Sequence, residues 1–124
     1  PLRVQRSIGD AATNVAVACR QGMAVGFGIM KYHDDEAHLL LLAVQRGCAR
    51  HGVGAALVAW LERCALTAGI GQVYLEARAA NADARAFYRR LGYEEIQVVP
   101  GYYQGLEASV RMAKDLWLEQ PASA

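Results

Sequence analysis

The segment Leu75-Glu76-Ala77-Arg78-Ala79-Ala80-Asn81, followed by Tyr88, brings a carboxylate, an amide and a phenol close together in the chain. Glu76 falls at the end of a short strand, on the face opposite Val73 and Leu75. A carboxylate there can accept a proton, or it is simply a solvated strand-end group. Tyr88 lies two turns down the helix that Asn81 opens, where its phenol can donate a proton or pack as part of the apolar stripe. Asn81 is a helix cap in either case.

A second pattern is a strand, a glycine-containing turn and a helix: Leu39 to Val44, then Arg50-His51-Gly52-Val53-Gly54-Ala55, then a long apolar periodicity. Such a turn aims unpaired backbone N–H groups and the positive end of a helix at one point. That is a place for a phosphate or pyrophosphate, and Gly52 and Gly54 let an anion come close. No Gly-Lys-Ser/Thr follows, so it is not a P-loop, and Leu57 stands where a dinucleotide fingerprint needs its third glycine. The plainer alternative is a tight turn and a helix start.

The elements that must position these groups follow from periodicity. Asn14 to Cys19 and Ala24 to Tyr32 read as a hairpin about Arg20-Gln21-Gly22, with Val25, Phe27 and Ile29 on one face and Gly26 and Gly28 on the other. Leu39 to Val44 is apolar on both faces, as in a central strand. From Gly54, residues Leu57, Leu61, Cys64 and Ala68 recur at helical spacing until Gly69. Gln72 to Ala77 alternates as a strand, and Asn81 caps a helix over Ala82 to Leu91 that stops at Gly92. Tyr93 to Val99 and Ala108 to Lys114 complete a β-β-β-α-β-α-β-β order. The expected class is α/β, a mixed and predominantly antiparallel sheet with helices on both faces.

A chain of 124 residues is one domain by size, expected over residues 1–118 with a loose tail at 119–124. Its 54% apolar content excludes a disordered segment. Thirteen basic and twelve acidic side chains leave a net charge of +1, which gives no general field for nucleic acid. The run Ala37 to Val44 is too short to span a bilayer, so no membrane partner is expected. Cys19, Cys48 and Cys64 form no CxxC pair and no zinc spacing. They are expected as free thiols in a reducing, cytoplasmic setting, with no metal.

Taken together, Asp35-Glu36-Ala37-His38-Leu39-Leu40, Ala43-Val44, Arg50 to Leu57, Leu75 to Asn81, Ala86 to Tyr93 and Tyr102-Tyr103 resemble the GNAT superfamily of acyl-CoA N-acyltransferases. Within it the chain looks most like the bacterial ribosomal-protein-alanine N-acetyltransferases. The resemblance implies an acetyl-CoA-dependent enzyme acting on a primary amine, a protein N-terminus or a small amine, by direct attack in a ternary complex, as monomer or homodimer. It implies that Leu42, Ala43 and Val44 offer backbone groups to the pantetheine arm, with the Val44 N–H a candidate oxyanion donor. Arg50, His51, Gly52, Val53, Gly54 and Ala55 would wrap the pyrophosphate, and Asn81 would touch the cofactor arm. Glu76 would be the general base and Tyr88 the general acid. The chain departs from the pattern at Arg46, Ala49, Val99-Pro100 and Ala108. Ahead of Asn14 it does not show the family's full first strand and helix pair, which are expected to be reduced or missing. A non-catalytic CoA-binding module of the same fold is the alternative, and a nucleotide-using enzyme of another class a third reading.

Overall fold

The structure is a computed structural model that describes residues 1–9, 12–48, 52–101 and 107–118. In chain order its elements are β1 (Leu2–Gly9), β2 (Thr13–Arg20), β3 (Met23–Tyr32), β4 (Ala37–Val44), α1 (Val53–Thr67), β5 (Gln72–Arg78), α2 (Ala82–Arg90), β6 (Glu94–Val99) and β7 (Ser109–Asp115). They form one seven-stranded sheet in the order β1-β2-β3-β4-β5-β7-β6. Every neighbouring pair is antiparallel except β4 and β5, which are parallel. The expected mixed, mainly antiparallel sheet is present.

Two features differ from the sequence expectation. The first strand is present: β1 pairs with β2 from Leu2↔Arg20 to Gly9↔Asn14, so only residues 10–12 separate the two strands. Its Leu2 and Val4 alternate with Arg3 and Gln5, a period-two pattern too short and too polar to stand out. Second, both described helices lie on one face, not one on each. Glu62 of α1 meets Lys114 of β7 at 3.2 Å. On β7, Lys114 shares a face with Met112, and Met112 pairs with Glu95 of β6. Glu95 in turn takes hydrogen bonds from Arg85 and Arg89 of α2. The cause is topological. The connections β4-α1-β5 and β5-α2-β6 each join parallel strands and step the same way along the sheet, and right-handed crossovers in one direction place their helices on one side.

Packing follows the glycines. A Cβ on Gly28 would come within 3.0 Å of Leu61, and one on Gly26 within 3.0 Å of Val53 and 3.2 Å of Leu57. The glycine face of β3 is therefore the face that takes α1. The core beneath it holds Ala16, Ala18, Met30, Leu57, Leu61, Val73, Leu75 and Met112. Phe27 lies on the opposite face, 39% exposed. At the far end, buried Tyr93 donates its hydroxyl to Glu62 (2.8 Å), and Lys114 donates to Glu62 and to the Leu91 carbonyl. Burial first, then the Glu62 charge, pushes the Tyr93 phenol far above its ordinary value, so it stays a donor.

Two stability changes are expected. Gly26→Ala adds a Cβ 2.9 Å from the Ala43 carbonyl oxygen. It should cost about 1–3 kcal/mol by overpacking, read as a lower urea midpoint at unchanged slope. Tyr93→Phe removes a hydrogen bond to a charged group and should cost about 1.5–3 kcal/mol in the same assay. An unchanged midpoint in either variant would contradict this account of the packing.

Candidate active site

The parallel pair β4–β5 is joined only at Ala37↔Val73 and His38↔Tyr74. Beyond His38 the two strands part. The β4 register also slips against β3 between Ile29 and Met30, a bulge that leaves Leu40 without a partner and bends the strand. The opening continues on the helix side into a cleft of about 780 Å³, lined by Leu42, Val44, Gly54, Asn81, Phe87 and Tyr88, among others. A smaller cavity of about 240 Å³ sits in the parting itself, where Leu39 to Leu42 face Glu76, Asn81 and Tyr88. The sheet is thus perforated, with the helices on one side of the gap and Glu76 reached from the other.

The walls of the cleft are polar in a particular way. The Gln45 N–H donates to the Val25 carbonyl. Peptide groups alternate along a strand, so Ala43 also faces β3, while the N–H groups of Leu42 and Val44 face the parting. Of the three backbone groups expected there, Ala43 is therefore not on that edge. Helix α1 begins at Gly52 with a left-handed φ of 76°, has no side-chain cap among the described residues and carries no acidic group in its first turn. Its leading N–H groups and positive end are left for an anion. Gly54 lines the larger cleft and also has a packing role. A Cβ there would sit 3.1 Å from Phe87 and 3.6 Å from Val44, so its lack of a side chain lets the start of α1 close onto α2 and β4. Val53 is fully buried and Ala55 half-buried in the first turn. Arg50 and His51 lie outside the described residues, as do Ala49, Tyr102, Tyr103 and the tail at 119–124.

On the other wall, the Asn81 side chain accepts a hydrogen bond from the Ala84 N–H at 3.0 Å. The cap fixes the start of α2, and Asn81 still lines both cavities. Tyr88 packs edge-on against Phe87 and Tyr93. Burial raises its phenol above the ordinary value, so it is protonated at neutral pH.

Glu76 stands where the sequence placed it, opposite the buried Val73 and Leu75. Its neighbours were not foreseen. His38 Nε2 lies 3.3 Å from one carboxylate oxygen and Arg111 Nη2 lies 3.5 Å from the other. Tyr74 stacks on His38, with centroids 4.2 Å apart, and Arg111 lies over the other aromatic partner, 4.7 Å from the Tyr74 ring centre. The only signal for His38 in the sequence is a histidine inside an apolar strand. Arg111 becomes a neighbour solely through the β5–β7 pairing that sets it opposite Glu76.

Residues 3–93 match the acetyltransferase (GNAT) family. The chain is 34% identical over 99 residues to an uncharacterized N-acetyltransferase of Methanocaldococcus jannaschii, covering 79% of this chain and 64% of that protein. It is 35% identical over 108 residues to the [ribosomal protein bS18]-alanine N-acetyltransferase of Salmonella typhimurium, covering 85% of this chain and 72% of that one. The crystal structure of the ribosomal-protein-S18-alanine N-acetyltransferase from Escherichia coli superposes with a TM-score of 0.79 at 31% identity, over 87% of this chain and 72% of that chain. The chain thus spans slightly under two thirds of the archaeal relative's length. A perforated mixed sheet, an open helix start beside it and a family match across most of the described core agree, and the chain belongs to the acetyltransferase (GNAT) family.

Proposed function

We propose that this chain is an acetyl-CoA-dependent N-acetyltransferase whose acceptor is a primary amine, most specifically the α-amino group of a protein N-terminus. The observation that carries the reading is the parting of β4 and β5, which connects the cleft beside α1 and α2 with Glu76 on the far face. The acceptor class rests on the relative that acetylates an alanine of a ribosomal protein. An α-amine titrates near 7.7–8.0, so about a tenth or more is already neutral at pH 7 and only modest base assistance is needed.

The donor set fits a pyrophosphate-bearing thioester. The uncapped start of α1 offers N–H groups to phosphate oxygens, and the exposed edge of β4 offers the Leu42 and Val44 peptides to an amide-rich arm. Apolar Val44 and Phe87 line the cleft between them. When bound, acetyl-CoA supplies an acyl carbon open to attack. The chain's residues then act on protons and charge. The Val44 N–H faces the developing oxyanion. Glu76 takes the proton that the amine nitrogen loses as its bond to carbon forms. Tyr88 gives its proton to the sulfur as the carbon–sulfur bond breaks, and solvent restores it. The net reaction turns an ammonium and a thioester into an amide, a thiol and one proton. The three cysteines are free thiols, which suits the cytoplasm as the proposed compartment.

The test is calorimetric titration with acetyl-CoA, followed by transfer to a peptide with a free N-terminal alanine and to one with only a lysine amine. One-to-one binding and preferential acetylation of the α-amine are expected. Binding without transfer to any amine would contradict the enzyme reading and leave a CoA-binding module. Glu76→Gln and Tyr88→Phe should each lower kcat about 10²-fold or more while keeping acetyl-CoA affinity within about twofold. The rate should also hold on the alkaline side past the ordinary tyrosine range, because burial keeps the Tyr88 phenol protonated there. Wild-type rates in either variant would return that residue to a structural role.

A further inference from the structure

The β5–β7 register sets Arg111 directly opposite Glu76, on the face from which an acceptor reaches the parting. Side chains so placed start from Cβ atoms about 4.5–5.5 Å apart. Arg111 is nevertheless poorly paired. Its Nη2 lies 3.5 Å from a Glu76 oxygen, well beyond the usual length of about 2.7–2.9 Å for a charged hydrogen bond. Elsewhere in the chain Arg85 grips Glu95 with two bonds of 2.7 and 2.9 Å, so the slack belongs to this position. The Arg111 Nε is buried with no hydrogen-bond partner. A guanidinium has five N–H donors, and buried donors are ordinarily paired. The group is also held still: its central carbon lies over the Tyr74 ring, 4.7 Å from the ring centre, and such stacking orients a planar fork. The side chain is 38% exposed, so it reaches solvent beside Glu76.

The other charges around this spot balance. Arg78 lines the parting two residues beyond Glu76, but Glu107 already lies 3.7 Å from it. Lys31 stands across from His38, and Glu36 adds negative charge near Tyr74. Arg111 is thus singled out by its spare donors next to Glu76, not by a general field.

We propose, resting on the acetyltransferase reading above, that Arg111 is a specificity-determining residue that selects acceptors with an acidic side chain at the first or second position of the N-terminus. Glu76 receives the amine, and the Arg111 guanidinium holds the substrate carboxylate beside it. Successive Cα atoms of a peptide are about 3.8 Å apart, so a carboxylate on either of the first two residues can lie one cross-strand step from the amine. A neutral side chain there forgoes the contact, and a basic one meets a like charge. No bond or proton moves at Arg111, which supplies binding and position. Arg111 does not line the larger cleft, so acetyl-CoA binding should not depend on it.

The experiment measures kcat and KM on free N-terminal peptides that differ only in glutamate against glutamine at position one or position two. The wild type is compared with Arg111→Gln and Arg111→Lys, with the acetyl-CoA KM followed alongside. At one of the two positions the wild type should favour glutamate about tenfold in kcat/KM, chiefly through the peptide KM, and less so at high salt. Arg111→Gln should bring that ratio close to one and leave the acetyl-CoA KM unchanged. Any effect of the substitution on Glu76 itself acts on both peptides alike and cancels in the ratio. Arg111→Lys should keep only part of the preference, since it keeps the charge and loses the fork. A wild type that acetylates amines without favouring glutamate would overturn this inference alone, and that comparison needs no variant. A preference that survives in Arg111→Gln would overturn the assignment to Arg111. If Arg111→Gln does not fold, an undiminished preference in Arg111→Lys does the same. A wild type that acetylates no amine would overturn the acetyltransferase reading and this inference with it.

Discussion

Two parallel strands that begin paired and then separate are the constraint on which the rest of this protein depends. β4 and β5 share a register only at Ala37↔Val73 and His38↔Tyr74, and beyond that point each loses its partner. Backbone N–H and C=O groups without partners are costly when buried, so a sheet does not ordinarily open in its interior. Here the opening persists because the flanking halves are each complete without it. The β1–β4 half is a continuous antiparallel meander covered by α1, and the β5–β7–β6 half closes on itself through two antiparallel pairings. The peptide groups left at the gap are then available to a substrate.

The two halves are held at a fixed angle by contacts on the helix face. Phe87 closes onto Gly54, joining the start of α1 to the middle of α2. Glu62 of α1 receives Tyr93 and Lys114, which tie it to the other half of the sheet. A sheltered carboxylate with two donors and a well-packed phenol is a geometry that tolerates little displacement. Because both crossovers put their helices on the same side, the gap has a helical side suited to a long polyanionic donor and an opposite side where a separate acceptor can approach. On the proposed acetyltransferase reading, division of the two substrates between two faces follows from strand order.

Much of this was legible in the residues. Asn81 and Gly92 delimit α2 because cap and stop chemistry is local. The Gly52 turn was legible for the same reason, as a glycine ahead of an apolar periodicity, and the structure adds its left-handed φ. Glu76 could be placed on its face by alternation alone. What escaped was non-local. Periodicity says which face of a strand is apolar but not which strand lies beside it, so the Arg111–Glu76–His38 grouping had no mark in the sequence. Alternation separated Val25, Phe27 and Ile29 from Gly26 and Gly28 but did not say which side is the core: the core takes the bare side, since only there can α1 approach, while Phe27 turns outward. Gly54 is also room for Phe87, a packing role that its place in a glycine turn did not announce.

The central claim is that one opening joins the donor cleft to the acceptor side. It is tested most directly by calorimetry with CoA linked through its sulfur to the N-terminus of an alanine peptide, compared with CoA alone. If the gap between β4 and β5 connects the two sites, the conjugate fills both and binds about tenfold tighter or more, as expected when a second contact becomes intramolecular. A conjugate that binds no better than CoA would mean that the two faces do not communicate through the sheet.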